Sequence, residues 1–330
     1  MKKFLLLLFS LAVGVILFLW IAQTVGWEGV QKAFKIFTGW EGLVVLGLTL
    51  LTIGISTWKW KAIIEAEGIK VRLSSLVGPY LASFSIMYFA PILIWGGELF
   101  RAYVLKERNG IPWQKGMASV IIDRILELTI NLFVIVLGFI FFLFFIGVPP
   151  LKLTVFFGGT FLIFAFILAF FYLTCWKRGS IINFFVKNNG NKFVETEKEI
   201  FSFFKKNRSS LWKAVMLSFL KIGVMYVRAW FVILFLGKII SGFTVFSIFS
   251  FSCLAVMIPI PAALGSHEAI QTFAFNALGA EASVATAFTM TQRGAEMIVA
   301  LLGVVIIFRL GLILIKNNFF KKIDNLVSKN

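Results

Sequence analysis

Acidic residues are scarce in this 330-residue chain and histidine occurs once: 15 Asp+Glu stand against 32 Lys+Arg, and charged residues make up only 14% of the total. A net charge of +17 raises nucleic acid as a partner, but that needs a soluble basic module, and the sequence contains none. The two cysteines, Cys175 and Cys253, lie in separate apolar segments. They offer neither a metal-ligand spacing nor a disulfide framework. There is no P-loop, no Gly-rich dinucleotide fingerprint and no H-E-x-x-H. The sequence therefore supplies no ATPase, cofactor or metal motif. His267 adjoins a carboxylate but has no nucleophile or metal set beside it, so no catalytic residue is assigned and an enzyme is not expected.

What the chain has is oil. Hydrophobic residues reach 60% and mean hydropathy is +0.95. Apolar segments run over 4–25, 40–58, 73–95, 115–146, 153–175, 211–237, 243–261 and 284–315, most of them near the roughly 20 residues that cross a bilayer. The expected fold class is an all-α polytopic membrane protein, organised as a single domain over 1–330. The start, MKKFLLLLFSLAVGVILFLW, looks like a signal peptide, but its apolar run is too long and no A-x-A site follows. It reads as a first spanning helix.

The charges reject eight simple crossings. Lys2 and Lys3, the 59–72 loop with Lys59, Lys61, Lys70 and Arg72, and the 96–115 stretch all read as inside. Segment 73–95 must then enter and return. The tail is basic, whereas 262–283 contains Glu268 and Glu281 and no Lys or Arg. Segment 243–261 must then enter and return from outside. The economical reading is six spanning helices and two re-entrant hairpins entering from opposite faces, with both termini cytoplasmic and the protein in the plasma membrane. The basic, aromatic stretch around 181–213 fits either an interfacial helix or an ordinary inside loop.

Each hairpin carries a break. APILIWGGELFRAYVLKERNG has Pro91, Gly96 and Gly97, and PIPAALGSHEAIQ has Pro259, Pro261 and Gly265. Proline removes an amide donor and glycine permits a tight turn. The breaks align: Pro91 precedes Glu98 by seven residues, and Pro261 precedes Glu268 by seven. Short arms follow, ending at Gly110 and Gly279. Fourteen residues on come Arg124 and Arg293, then Glu127 and Glu296 three later. This is the pattern of an inverted repeat, units about 73–146 and 243–315, with a site expected between the units near the midplane.

Charges inside apolar segments cost about 2.5–3.5 kcal/mol each at a helix centre, so they pair or line a polar path. The candidates for substrate binding are Glu98, Arg101, Asp123, Arg124, Glu127, Arg228, Glu268, Arg293 and Glu296; Lys221 lies on the same segment as Arg228. Arg124 and Glu127, like Arg293 and Glu296, are i,i+3 neighbours able to pair on one helix. Locking hairpins against helices is the competing role. The N-terminus of each short arm points inward and favours an anion such as phosphate. Glu98 and Glu268 near those ends can moderate that positive charge, meet a cationic headgroup, carry a coupling proton, or simply cap the arm.

At these residues the chain resembles a known family. GGELFRAYVLKERNGIPWQKGMASVIIDRILEL, PIPAALGSHEA and QRGAEMIVALLG are similar to stretches of the lysylphosphatidylglycerol synthase transmembrane, or flippase-like, family. The family-like positions are Gly97, Glu98, Arg101, Asp123, Arg124, Pro259, Pro261, Gly265, Glu268 and Arg293. The resemblance implies a membrane domain that in some members moves aminoacylated phosphatidylglycerol between leaflets. Ala262 and Ala263 stand where the family tends to have glycines, and no aminoacyl-transferase domain is seen, so a complete synthase is not expected. The function expected first is a flippase moving a phospholipid or polyprenyl-phosphate-type lipid without ATP hydrolysis. The alternatives are a membrane enzyme or accessory subunit in lipid or envelope-glycan synthesis, and a non-transporting assembly partner. The expected partners are lipids with anionic or zwitterionic headgroups and a separate lipid-modifying or glycan enzyme.

Overall fold

The computed structural model describes residues 37–89, 96–145, 147, 151–177, 191–256, 266–277 and 282–327. Among them the secondary structure is entirely helical: α1 Trp40–Ala66, α2 Leu73–Phe89, α3 Gly96–Asn109, α4 Trp113–Phe145, α5 Leu151–Lys177, α6 Asn191–Lys206, α7 Arg208–Phe235, α8 Gly242–Val256, α9 Ser266–Ala277 and α10 Ala282–Val327. Five are long and apolar enough to cross a membrane: α1, α4, α5, α7 and α10. The 4–25 segment and the breaks at Pro91, Pro259, Pro261 and Gly265 lie outside the described residues. The all-α polytopic fold class stands.

The two segments read as turning back hold α2 and α8, of 17 and 15 described residues, and the stretch after each lies outside the described residues. Each is followed by a short arm, α3 or α9. The α3 arm buries Gly97, Glu98, Arg101, Ala102, Val104 and Leu105, one face of a 3.6-residue period. It ends as the glycine signal requires: Gly110 has φ +67. The Gly110 N–H donates to Lys106 O at 3.2 Å and the Ile111 N–H to Leu105 O at 3.4 Å, closing the last turn.

Neighbours come in mated sets. α1 packs on α2, as α7 does on α8; α2 on α3, as α8 on α9; α3 on α4, as α9 on α10. The exchange across the molecule is also reciprocal: α2 packs on α10 and α8 on α4. The most extensive pairing joins α1 and α7 to each other. They run antiparallel: the Trp40 ring meets Phe235 at 5.1 Å, Thr49 meets Arg228, and the Asn207 amide donates to Ala66 O at 3.1 Å. Antiparallel mates with reciprocal neighbours are what an inverted pair demands. The hairpin helices press close through small residues. A Cβ on Gly303 of α10 would strike Ser85 and the Leu81 carbonyl of α2, and one on Gly138 of α4 would strike Ser250 of α8.

The 181–213 stretch holds α6, which docks on α4 rather than remaining a plain loop. Ile200 and Phe203 join Ile63, Ala118, Ile122, Leu126 and Ala214 in one buried cluster. Gln114 donates to Glu195 at 2.8 Å. At the same end Glu67, just past α1, is half-buried, and its carboxyl is pushed up to about 7 by burial and by Glu199, with Lys115 opposing.

Candidate functional site

The charges within the helices gather into two clusters, one around α4 and one around α10, joined by α7. In the first, Asp123 of α4 is almost wholly enclosed between two cations. Lys59 Nζ lies 2.8 Å from Oδ1, and Arg101 donates to Oδ2 at 2.9 Å. The Arg101 guanidinium sits between the rings of Trp60 and Tyr80, 4.9 Å from each, a doubled cation–π contact. Trp60 is itself held, its Nε1–H donating to Ser119 Oγ at 3.2 Å. All three charges are at most 3% exposed.

From the next residue of α4 the cluster opens. Arg124 donates from Nε and Nη2 to one oxygen of Glu98, at 3.0 and 2.6 Å, and from Nη1 to Glu127 at 3.1 Å. Lys221 of α7 takes the other oxygen of Glu127. The side chains of Arg124, Glu127 and Lys221 are 25%, 20% and 15% exposed, unlike the sealed triad beside them. Glu98 sits in the first turn of α3 with Oε2 unpartnered among the described residues. Gly97 brings that turn against α2: a Cβ there would lie 2.7 Å from both the Ser83 carbonyl and hydroxyl oxygens.

In the second cluster Glu296 of α10 takes Arg228 of α7 on one oxygen and Arg293 on the other, both at 2.9 Å. Arg228 also donates to Gln292 Oε1 at 2.9 Å and to Thr49 Oγ1 at 3.0 Å. That fixes the Gln292 amide, since only its oxygen can accept from a guanidinium. Its Nε2, with Arg293 Nε and His267 Nε2, has no hydrogen-bond partner among the described residues. Gln292, Arg293 and His267 line a small polar cavity with Ser252, Thr289 and Glu296. Arg293 also lies 5.7 Å over the Tyr88 ring of α2, and the Tyr88 hydroxyl donates to Arg293 O at 3.2 Å. The Glu268 side chain is outside the described residues.

Both expected i,i+3 pairs are therefore present. Lys59 differs from the expectation: it was read as an inside-loop charge, whereas α1 continues to Ala66 and buries it on Asp123. The signal was in the repeat. Lys59 and Arg228 are separated by 169 positions, as are Asp123 and Gln292, Arg124 and Arg293, and Glu127 and Glu296. Carrying that register back to α1 and α7 finds Lys59. Lys221 joins the first cluster from across the molecule. Its place 169 positions earlier is Thr52, so the repeat does not announce it. Among the described residues no group of three or more His, Cys, Asp and Glu is arranged to hold a metal ion.

Comparison with known proteins agrees with this architecture. The chain is 25% identical to a UPF0104 membrane protein of Methanocaldococcus jannaschii, over 84% of this chain and 88% of the relative. It is 24% identical to one of Pyrococcus horikoshii, over 89% and 92%. No solved structure matches the chain. The family described as "Lysylphosphatidylglycerol synthase TM region" matches residues 7–303, a span that takes in both clusters and the helices on which they stand. The chain belongs to the lysylphosphatidylglycerol synthase TM-region family.

Proposed function

We propose that this protein is a lipid transporter that moves a phospholipid or polyprenyl-phosphate-type lipid, with an anionic or zwitterionic headgroup, between leaflets without hydrolysing ATP. The observation that carries the reading is the run of partly exposed charges shared between the two units. Arg124, Glu127 and Lys221 are linked to Arg293 and Glu296 through α7, on which Lys221 and the buried Arg228 stand seven residues apart, about 10 Å at the helical rise. A headgroup crossing hydrocarbon needs successive polar partners, and inverted units offer them to both leaflets in turn. In this proposal the partly exposed charges contact substrate. The sealed Lys59–Asp123–Arg101 triad, although Arg101 and Asp123 belong to the candidate set, holds α1, α3 and α4 together. Glu268 remains proposed as a headgroup contact.

The same proposal has a single membrane domain in the plasma membrane, termini cytoplasmic, no catalytic residues, and no nucleic-acid partner. A separate lipid-modifying or glycan enzyme would supply or consume the lipid. One observation favours a second reading, a non-transporting assembly partner: Glu127 and Glu296 each already have two cations, as a packing lock requires. The test is a leaflet-specific assay in vesicles containing only this protein. Acceleration of headgroup exchange over protein-free vesicles is the expected result. Equal rates with folded protein sink the transporter reading.

A further inference from the structure

Between α8, α9 and α10 lies a cavity of about 10 Å³, walled by Ser252, His267, Thr289, Gln292, Arg293 and Glu296. We propose that it binds a single monatomic anion, chloride. The cavity shares Arg293 and Glu296 with the proposed headgroup path, but an inorganic ion here does not depend on whether a lipid crosses.

The free groups on the wall are N–H donors. Gln292 Nε2, Arg293 Nε and His267 Nε2 are buried and have no hydrogen-bond partner among the described residues. Arg228 donates to Gln292 Oε1 at 2.9 Å, which makes the unpartnered end of that amide its N–H end. An arginine Nε always carries its proton. His267 is 7% exposed, and with its proton on Nε2 it completes three donors. The wall hydroxyls have already placed theirs. Thr289 donates to Ala285 O at 2.9 Å, and Ser252 donates to Ile248 O at 3.4 Å while accepting from Gln271 Nε2 at 2.5 Å.

Charge chooses the ligand. Arg228 and Arg293 share the carboxylate of Glu296, one guanidinium on each oxygen, so among these side chains one positive charge is unbalanced. The offset that carries Lys59 to Arg228 carries the acid Asp123 to the amide Gln292. A bound anion supplies beside α10 the negative charge that Asp123 supplies in α4. His267 stands in the first turn of the 12-residue helix α9, whose free amides and positive dipole end also favour an anion. Size chooses among anions. The space is that of about one water, which suits a monatomic ion and excludes a phosphate with its four oxygens. A water would meet the donors but leave the charge unbalanced, and a cation would face two guanidiniums.

The test uses the full chain in detergent, exchanged into sodium gluconate and titrated with radioactive chloride at constant ionic strength. One chloride per chain should be retained and displaced by bromide, and the unfolding temperature should rise saturably with chloride. Gln292→Glu keeps the shape and acceptor for Arg228 but puts a carboxylate oxygen in place of the N–H. It should abolish chloride retention and make the unfolding temperature independent of chloride. His267→Phe removes one donor without adding charge and should weaken chloride about tenfold or more. Unfolding transitions in gluconate check that both variants fold. No retained chloride in the wild type overturns the proposal and leaves the cavity to a water. Undiminished retention in either folded variant overturns it as well. Inorganic phosphate and glycerol phosphate form the second arm: tighter competition by either than by bromide makes the cavity part of a headgroup site and overturns the monatomic assignment. The readout is ion binding, so it stands or fails separately from lipid transport.

Discussion

Lys59 of α1 and Arg228 of α7 stand 169 positions apart, the same offset that separates Asp123 from Gln292, and their partners differ. Lys59 faces the carboxylate of Asp123 at 2.8 Å; Arg228 faces Gln292 at the equivalent position and reaches on to Glu296. Where the first cluster has the acid Asp123, the second has an amide whose N–H has no partner among the described residues and lines a small cavity. The two clusters share a framework and differ in charge at that position.

The sealed half should respond to mutation as a buried ion network. Asp123→Asn leaves two enclosed cations, Lys59 and Arg101, without their acid. Lys59→Met leaves Asp123 still paired with Arg101. Removing one partner of a buried pair costs about 3–5 kcal/mol, and Asp123→Asn should sit at or above that range while Lys59→Met falls below it. Thermal unfolding in detergent checks the ranking. The reverse order contradicts the assignment of Asp123 as the shared partner.

Two glycines separate contact from propensity. Gly97→Ala drives a methyl into Ser83 and Met87, an overpacking of about 1–3 kcal/mol. It also lifts the turn that aims Glu98 at Arg124. Gly54→Ala in α1 meets nothing within 4 Å and should be neutral or stabilising by up to about 1 kcal/mol. Equal effects of the two substitutions count against the α2–α3 contact.

Much of this was legible in the sequence. The apolar runs locate the helices, and the 124/127 and 293/296 spacings announce two of the ion pairs, because spacing along a helix decides what can pair. Three features were hidden. Lys59 follows an apolar run and reads as an inside-loop charge, because in sequence a helix that carries its charge inward looks the same as one that stops. Lys221 reaches Glu127 by tertiary packing of α7 on α4, which no local period encodes. α6 has the pattern of an interfacial helix, and the presence of Ile63, Ile122 and Leu126 to receive Ile200 and Phe203 is known only once the bundle is built.

Acidity should stabilise the α6 end of the molecule. Glu67 has its carboxyl pushed from 4.5 to about 7 by burial and the nearby Glu199, against the pull of Lys115. An acid with a raised folded value takes up a proton on folding. Its contribution is fully present below 4.5 and is lost as pH rises through about 7. Wild-type unfolding temperature should therefore drop from about pH 5 to about pH 8, and Glu67→Gln should flatten that drop by holding the neutral form. An identical pH dependence in the variant removes Glu67 as its source.

Opposite ends of the bundle should be reachable from opposite sides of the membrane. Ala66 and Asn207 meet at one end of the α1–α7 pair, and Trp40 and Phe235 at the other. Lys106, near the end of α3 before α4 begins at Trp113, belongs to the first end; Lys238 follows α7 at the second. Single cysteines at these positions, in a background with Cys175 and Cys253 replaced by alanine, should react with an impermeant thiol reagent from different sides. Labelling of both from one side rejects the proposed topology.

The decisive pair is Arg293 and Glu296. Glu296→Gln alone leaves Arg228 and Arg293 without their shared acid, so lost stability and lost transport are confounded. Arg293→Gln combined with Glu296→Gln removes one charge of each sign and leaves Arg228 its contacts to Gln292 and Thr49. That double variant avoids an orphaned Arg293 but still leaves buried Arg228 without a carboxylate, so it should cost less stability than Glu296→Gln alone, which orphans both cations. If the pair contacts the headgroup, the initial transport rate should still fall about tenfold or more, equivalent to about 1.4 kcal/mol or more of lost stabilisation of the crossing headgroup. Stability and rate measured on the same preparations separate the two roles. A folded double variant with wild-type rate makes the pair a lock between α7 and α10, and the assembly-partner reading then takes precedence.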